Sequence, residues 1–253
     1  TILSNKDEFL PRSFKSDSPI KKLFIFVFFT ISSTCFSDLI PLSQIIGPLC
    51  LFKILCNSKV ILIDLPESNF LSHYYLKKLF PKKKFLLSSE IKKQLSIKQI
   101  LKNDIIILCP WDKLPKIQID FYINSRSMME MTYPTINHYF NLIKQNLKIG
   151  GYFLCINRYY KDTVGYPIEL IKYPFGKNWT VLVSKKSWLQ DHIHYLLFER
   201  TKKPNIKFKD EIKKLKILSN GIKKHDPFFI RRILPNSIYK IYKISKYAIS
   251  KIF

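Results

Sequence analysis

The sequence predicts an α/β fold, a doubly wound and mostly parallel sheet followed by a basic helical appendage. Three observations carry that prediction. Short continuous apolar runs, such as 60–63 (VILI) and 104–109 (DIIILC), have the length of strands buried on both faces and show no alternation. Segments with helical spacing stand between them, so strand and helix alternate as in βαβ units. After Arg200 the texture shifts to a lysine-rich tail. With 253 residues, 47% hydrophobic and 15% aromatic, and only 6 glycines, the chain has material for a packed core and does not read as disordered.

Taken in order, residues 1–45 read as an irregular, apolar lead-in. Residues 1–20 are polar, with Pro11 and Pro19, while 21–56 are apolar without a clean period and are broken by Pro41 and Pro48. The run 23–36 falls short of the roughly 20 residues of a membrane span and contains Thr30, Ser32, Ser33 and Thr34. A signal-peptide core matches its length, but the polar stretch ahead of it is long for such a peptide. The α/β domain is expected over 46–200. Its first clear strand, 60–63, exits through Asp64-Leu65-Pro66-Glu67, and 68–80 follow with Phe70, Tyr74, Leu76, Leu79 and Phe80 at helical spacing. Further strands are expected at 85–87, 104–109 and 117–123. An amphipathic helix over 134–147 turns Ile136, Tyr139, Phe140, Ile143 and Leu147 to one side. Gly150-Gly151 is expected to close that helix and feed a strand at 152–156. Late strands follow at 180–184 and 195–198. Within the appendage, 201–253, the segment 237–253 sets Ile238, Ile241 and Tyr242 against Lys240 and Lys243. It suits either an anionic membrane surface or packing on the parent domain.

The formal charge of +25 points to an anionic partner. Lysine far outnumbers arginine, and Ile, Asn, Phe and Tyr are also heavily used, a bias that AT-rich coding explains without nucleic acid. RNA-recognition motifs, zinc modules and an N/D-P-P-[YF] string are missing, so nucleic acid is not the expected partner. Cys35, Cys50, Cys56, Cys109 and Cys155 lack metal-ligand spacing and read as buried thiols of a reducing, cytoplasmic compartment.

In a doubly wound sheet the ligand lies beyond the carboxyl ends of the strands, which singles out the residues after Ile63, Ile123 and Ile156. Asp64 can accept both hydroxyls of a cofactor ribose, or serve as a turn or helix cap. In the stretch 120–131 (DFYINSRSMMEM) polar groups emerge from a buried strand. Asn124 offers an amide to a cofactor, and Glu130 can accept a proton or a hydroxyl. Alternatively Ser127 and Glu130 cap the next helix.

Five strings then occur in order over residues 59–200: VILIDLPE with His73-Tyr74-Tyr75-Leu76 following, INSRSMMEM, IGGYFLCINRYYK, YPFGKNW and QDHIHYLLFER. Together they resemble the sugar O-methyltransferases, a group similar to the nodulation-factor fucose methyltransferase. The resemblance implies a Rossmann-like class I methyltransferase fold with S-adenosylmethionine as donor. It implies as acceptor a sugar hydroxyl of a surface glycan or glycolipid, nucleotide- or lipid-linked. Carried over, Asp64 becomes the ribose ligand, Leu65 and Pro66 line the adenosine, and Asn124 and Ser127 flank the methionine moiety. Glu130, Asn157 and Arg158 face the acceptor, with Gln190, His192 and His194 on the same side. Arg158 and Lys161 would hold a phosphate or carboxylate. Glu130 and His194 are the candidate catalytic bases; His194 is equally readable as core, and His192 as a structural residue.

One departure stands out. The family pattern has an acidic residue and a G-x-G-x-G loop whose amides approach the cofactor, but residues 44–55 keep only Gly47, with Leu49 and Cys50 where other glycines are expected. A degenerate, non-catalytic homologue, a shifted reading frame upstream of residue 50, and an unusual loop all account for it.

Overall fold

The computed structural model describes residues 58–161, 165–187, 190–203 and 206–223, the strand 23–27, and positions 235 and 238; at 23–27, 206–207 and 221–223 only the backbone is described. Chain segments rich in β-branched and aromatic residues form the strands: β1 (Leu23–Val27), β2 (Lys59–Ile63), β3 (Phe85–Leu87), β4 (Ile105–Leu108), β5 (Ile119–Ser125) and β6 (Leu147–Arg158). After a two-stranded flap, β7 (Tyr160–Lys161) with β8 (Ile168–Glu169), the chain adds β9 (Trp179–Lys186) and β10 (Ile193–Arg200). Eight strands make one sheet in the order β3-β4-β2-β1-β5-β6-β10-β9. Every pair from β3 to β6 is parallel, and β10 runs antiparallel to both neighbours. This is the Rossmann-like, doubly wound, mostly parallel α/β fold that the alternation of strand and helix predicts.

Period-two alternation along the strands divides the core between two faces. Val60, Leu62, Ile105, Ile107, Phe121 and Ile123 form one cluster, joined by Leu76 of α1 (Pro66–Leu79). Ile61, Ile63, Ile106, Leu108, Tyr122 and Phe153 belong to the other, larger cluster. Ile100 of α2 (Ile97–Lys102) and Ile136, Phe140 and Ile143 of α3 (Tyr133–Asn146) cover that face. The basic α4 (Ile206–Lys223) adds Phe208 and Leu215 to the same cluster. The short α2 goes unnoticed in the apolar pattern, yet it carries a complete capping box. Ser96 Oγ accepts from Gln99 N at 3.2 Å while Gln99 Oε1 accepts from Ser96 N at 3.0 Å.

Two expectations are corrected. The lead-in assigned to 1–45 contains β1, which is no appendage: it pairs with β2 on one side and β5 on the other, in the middle of the sheet. Nor does Gly150-Gly151 close the preceding helix. That helix stops at Asn146, whose Nδ2 donates to Leu142 O at 3.0 Å and whose Oδ1 accepts from Ile117 N at 2.9 Å. The two glycines lie inside β6, where the β5–β6 register shifts; Gly150 has φ +76, and a Cβ on Gly151 would meet Lys148 O at 2.9 Å and Asp120 O at 3.0 Å. Cys109 and Cys155 are buried free thiols, as expected, while the other three cysteines and nearly all of 237–253 lie outside the described residues. No helix among the described residues is long and apolar enough to cross a membrane.

Candidate functional site

Strand connections leave β1 toward β2 in one direction and leave β5 toward β6 in the other, so the order of the sheet reverses between β1 and β5. A crevice at such a switch point, beyond the carboxyl ends, is where open α/β sheets hold ligands. Two predicted residues flank it. Val27 closes β1 opposite Ile63 of β2 on one side and Asn124 of β5 on the other, so Asp64 follows one neighbour of β1 and Asn124 is the last residue but one of the other. The two positions sit on the same edge of the sheet, two strand spacings apart, about 10 Å.

Asp64 is held in place by its surroundings. Its side chain is buried and Oδ1 accepts from Leu65 N at 2.7 Å. Asn69, one turn into α1, donates Nδ2 to Asp64 O at 2.8 Å and to Leu108 O at 2.9 Å, pinning the helix start across the ends of β2 and β4. Leu65 is the half-buried residue preceding α1, and Pro66 takes the first helical position without losing a needed donor. From the opposite face Tyr139 of α3 approaches Asp64. Burial, and then the Asp64 carboxylate, raise the phenol above its ordinary pKa, so it stays protonated. Tyr139 was read from the sequence only as part of an apolar helix face.

Asn124 and Ser127 do not face open solvent. Both are fully buried: Asn124 Nδ2 donates to Ser127 Oγ, while Asn124 Oδ1 accepts from Asn157 Nδ2 at 2.9 Å and from Met128 N at 3.4 Å. Asn157, predicted to face the acceptor, is likewise buried, and this amide bonds β6 to β5. The three residues form one network that fixes the turn leaving β5. Their side-chain groups are thus engaged with one another at this edge of the sheet.

Beyond that turn lies a charged cluster. Glu130, in the single 3-10 turn Met128–Glu130, makes an ion pair with Lys161 of β7, both side chains being mostly buried. Burial, helped by the charge of Arg126, lowers Lys161 to about 8, whereas the carboxylate contact works in the opposite direction. Arg126 itself adopts φ +59 and donates its backbone N–H to Ile156 O at 2.7 Å. Left-handed backbone in a non-glycine residue marks a position that its surroundings hold firmly. Its place directly after a buried strand was the signal available in the sequence. Arg158, half-buried, ends β6 opposite Ile193. Arg158 thus stands at the carboxyl end of β6, and Lys161 is engaged by Glu130.

His194 resolves toward the core. It is 1% exposed, with Nδ1 2.6 Å from the Tyr159 hydroxyl and Nε2 2.9 Å from Ser184 Oγ. Burial lowers its pKa to about 4, leaving a neutral imidazole with both nitrogens engaged. A base for an acceptor hydroxyl needs an accessible nitrogen, so the catalytic reading of His194 is corrected. Gln190 and the half-buried His192 occupy the β9–β10 connection, where Gln190 N donates to Ser187 Oγ at 3.3 Å. Gly47 lies outside the described residues. No group of three or more His, Cys, Asp or Glu among the described residues could hold a metal ion.

No family model and no curated protein matches the chain. Solved structures do. A "putative type 11 methyltransferase" from Sulfolobus solfataricus is 18% identical over 78% of this chain and 93% of that one, with a TM-score of 0.41. The mitomycin 7-O-methyltransferase MmcR is 8% identical over 72% of this chain and 49% of its own, with a TM-score of 0.43. LepI in complex with SAM is 10% identical over 74% of this chain and 45% of its own, at 0.44.

Proposed function

We propose that the protein transfers a methyl group from S-adenosylmethionine to a sugar hydroxyl of a glycan or glycolipid. The observation that carries this reading is the placement of Asp64 and Asn124 on either side of β1, at the reversal of strand order. A carboxylate at the end of β2 fits the diol of a nucleoside ribose, and the five ordered strings point to the donor and the sugar class. The bound sulfonium supplies an activated methyl group, so this chain's residues need only orient donor and acceptor and take one proton. With His194 in the core, Glu130 and Lys161 are the titratable pair left near the acceptor side, and Arg126 and Arg158 add positive charge for a phosphate- or carboxylate-bearing sugar.

A second reading rests on a specific feature. β1 ends at Val27 and the next glycine in the chain is Gly47, twenty positions on (47 − 27). A close approach of backbone amides to the donor just after β1 would have to be made by non-glycine residues. A protein with this fold that binds partners without holding the donor is consistent with that.

Titration calorimetry with S-adenosylmethionine separates the two. Micromolar binding supports methyl transfer, and the absence of heat at millimolar donor overturns it in favour of the non-catalytic reading. Transfer of label from methyl-labelled donor into a purified glycan or glycolipid fraction then tests the acceptor class.

A further inference from the structure

The outer face of α1 is unlike that of an ordinary surface helix. Facing the sheet are Ser68, Asn69, Ser72 and Leu76, small or polar side chains that let the helix lie close to β2 and β4. Facing away are Phe70, 72% exposed, with Leu71, Tyr74, Tyr75 and Leu79, each more than 40% exposed. The usual polarity of an amphipathic helix is thus reversed, and among the described residues this apolar area is left exposed. Phe70, His73, Tyr74, Lys77 and Lys78 line an open groove of about 330 Å³.

The charges of the helix and the turn after it are mostly positive. Lysines occupy positions 77, 78, 82, 83 and 84, and Glu67, at the far end of the helix, is the only acid between 66 and 84. Lys78 Nζ lies 4.3 Å from the centroid of Tyr74, and Lys77 Nζ lies 5.2 Å from that of Phe85. Aromatic bodies with polar tips, leucines and lysines that lie along the rings form the side-chain set that settles at the boundary of an anionic bilayer.

We propose that this face of α1 docks the protein on anionic phospholipid. Phe70, Leu71 and Tyr74 enter the headgroup boundary, and the lysines at 77–84 meet lipid phosphates and carboxylates. The composition separates this from a protein partner, because protein interfaces favour arginine and disfavour lysine, and the helix with the turn that follows it carries five lysines and no arginine. It also separates it from single-stranded nucleic acid: a lysine already covers the Tyr74 ring, and two of the exposed apolar residues are leucines that no base stacks upon.

Co-sedimentation of the full chain with vesicles tests it. Binding is expected to phosphatidylcholine vesicles containing phosphatidylserine, and to weaken steeply with salt. Pure phosphatidylcholine vesicles are expected to leave the protein in the supernatant. The exposed pairs F70S/Y74S and K77E/K78E should each reduce binding about tenfold with unchanged thermal melting, whereas deletion of 237–253 should leave most of it. Absence of binding, binding indifferent to phosphatidylserine, or full binding by both double variants overturns the proposal. Self-association, or RNA binding, that is abolished by F70S/Y74S while vesicles are ignored would assign the face to that partner instead.

Discussion

Tyr159 places its hydroxyl 2.6 Å from Nδ1 of His194, and Ser184 holds the other ring nitrogen from the neighbouring strand. The contact ties the end of β6 to β10 through a neutral imidazole. Burial depresses the folded pKa to about 4 from an unfolded value near 6.5. The associated stability is complete above pH 6.5 and is lost as pH falls through 4, because the unfolded chain takes up the proton first. The shift corresponds to about 3 kcal/mol at the limit. Urea midpoints for the wild type should therefore fall more between pH 7 and 4 than those of H194Q. Methyl transfer by H194Q, once an acceptor is in hand, should stay within a few-fold of wild type at pH 7. A loss of several orders of magnitude with unchanged stability would return His194 to the catalytic role.

Asp64 carries the donor reading, so its removal should be felt in binding. A charge-assisted hydrogen bond is worth about 1.5–3 kcal/mol, which predicts a donor Kd about 10- to 100-fold weaker for D64N by calorimetry. Because Asn69 fixes the segment through the Asp64 backbone carbonyl and not its side chain, D64N should melt close to wild type. Equal donor affinity in the two proteins would remove Asp64 from the site.

These two residues show what the sequence could and could not convey. A carboxylate directly after a four-residue apolar run marks the exit of a buried strand by itself, so Asp64 needed no partner to be found. β1 was hidden for the opposite reason. LFIFV lies within the apolar run 23–36, and the first proline or glycine after it is Pro41, so nothing in the pattern marks where the strand ends. The network of Asn124, Ser127 and Asn157 depends on β5 and β6 being neighbours, a fact of sheet order that spacing along the chain does not contain. His194 remained ambiguous because its two partners come from the flap side and from β9. Tyr139 looked like an apolar helix position because only the folded chain brings Asp64 to it.

The Glu130–Lys161 pair predicts a non-additive response. Both side chains are mostly removed from water, so truncating one leaves the other charge buried beside Arg126. Breaking such a pair typically costs about 3–5 kcal/mol, while replacing both partners by apolar groups costs far less. K161M and E130L should therefore each destabilise more than the double variant in urea unfolding. Additive losses would show that the two groups are solvated independently. E130Q tests chemistry separately: it too should lower Tm by leaving Lys161 unpaired, and a base role predicts in addition a loss of kcat at temperatures where the variant is fully folded.

Gly151 offers the sharpest steric test. It sits in β6 where the β5–β6 register shifts, and a methyl group there would come within 2.9 Å of Lys148 O and 3.0 Å of Asp120 O. Both are backbone atoms of strands that cannot swing aside, in contrast to Gly150, where the nearest atom is the Glu199 side chain at 4.0 Å. G151A must push β5 and β6 apart at their entrance, a strain of about 1–3 kcal/mol. At Gly150 the obstacle is conformational: φ +76 disfavours a Cβ by about 1–2 kcal/mol whatever the space around it. The two substitutions should therefore destabilise comparably but differently. G151A should loosen amide-exchange protection at Phe121 and Tyr152, the pair just beyond the register shift, whereas G150A should leave those amides protected. If G151A melts like wild type with unchanged protection, the register shift does not depend on the missing side chain, and the close approach of the two strands is not what glycine secures.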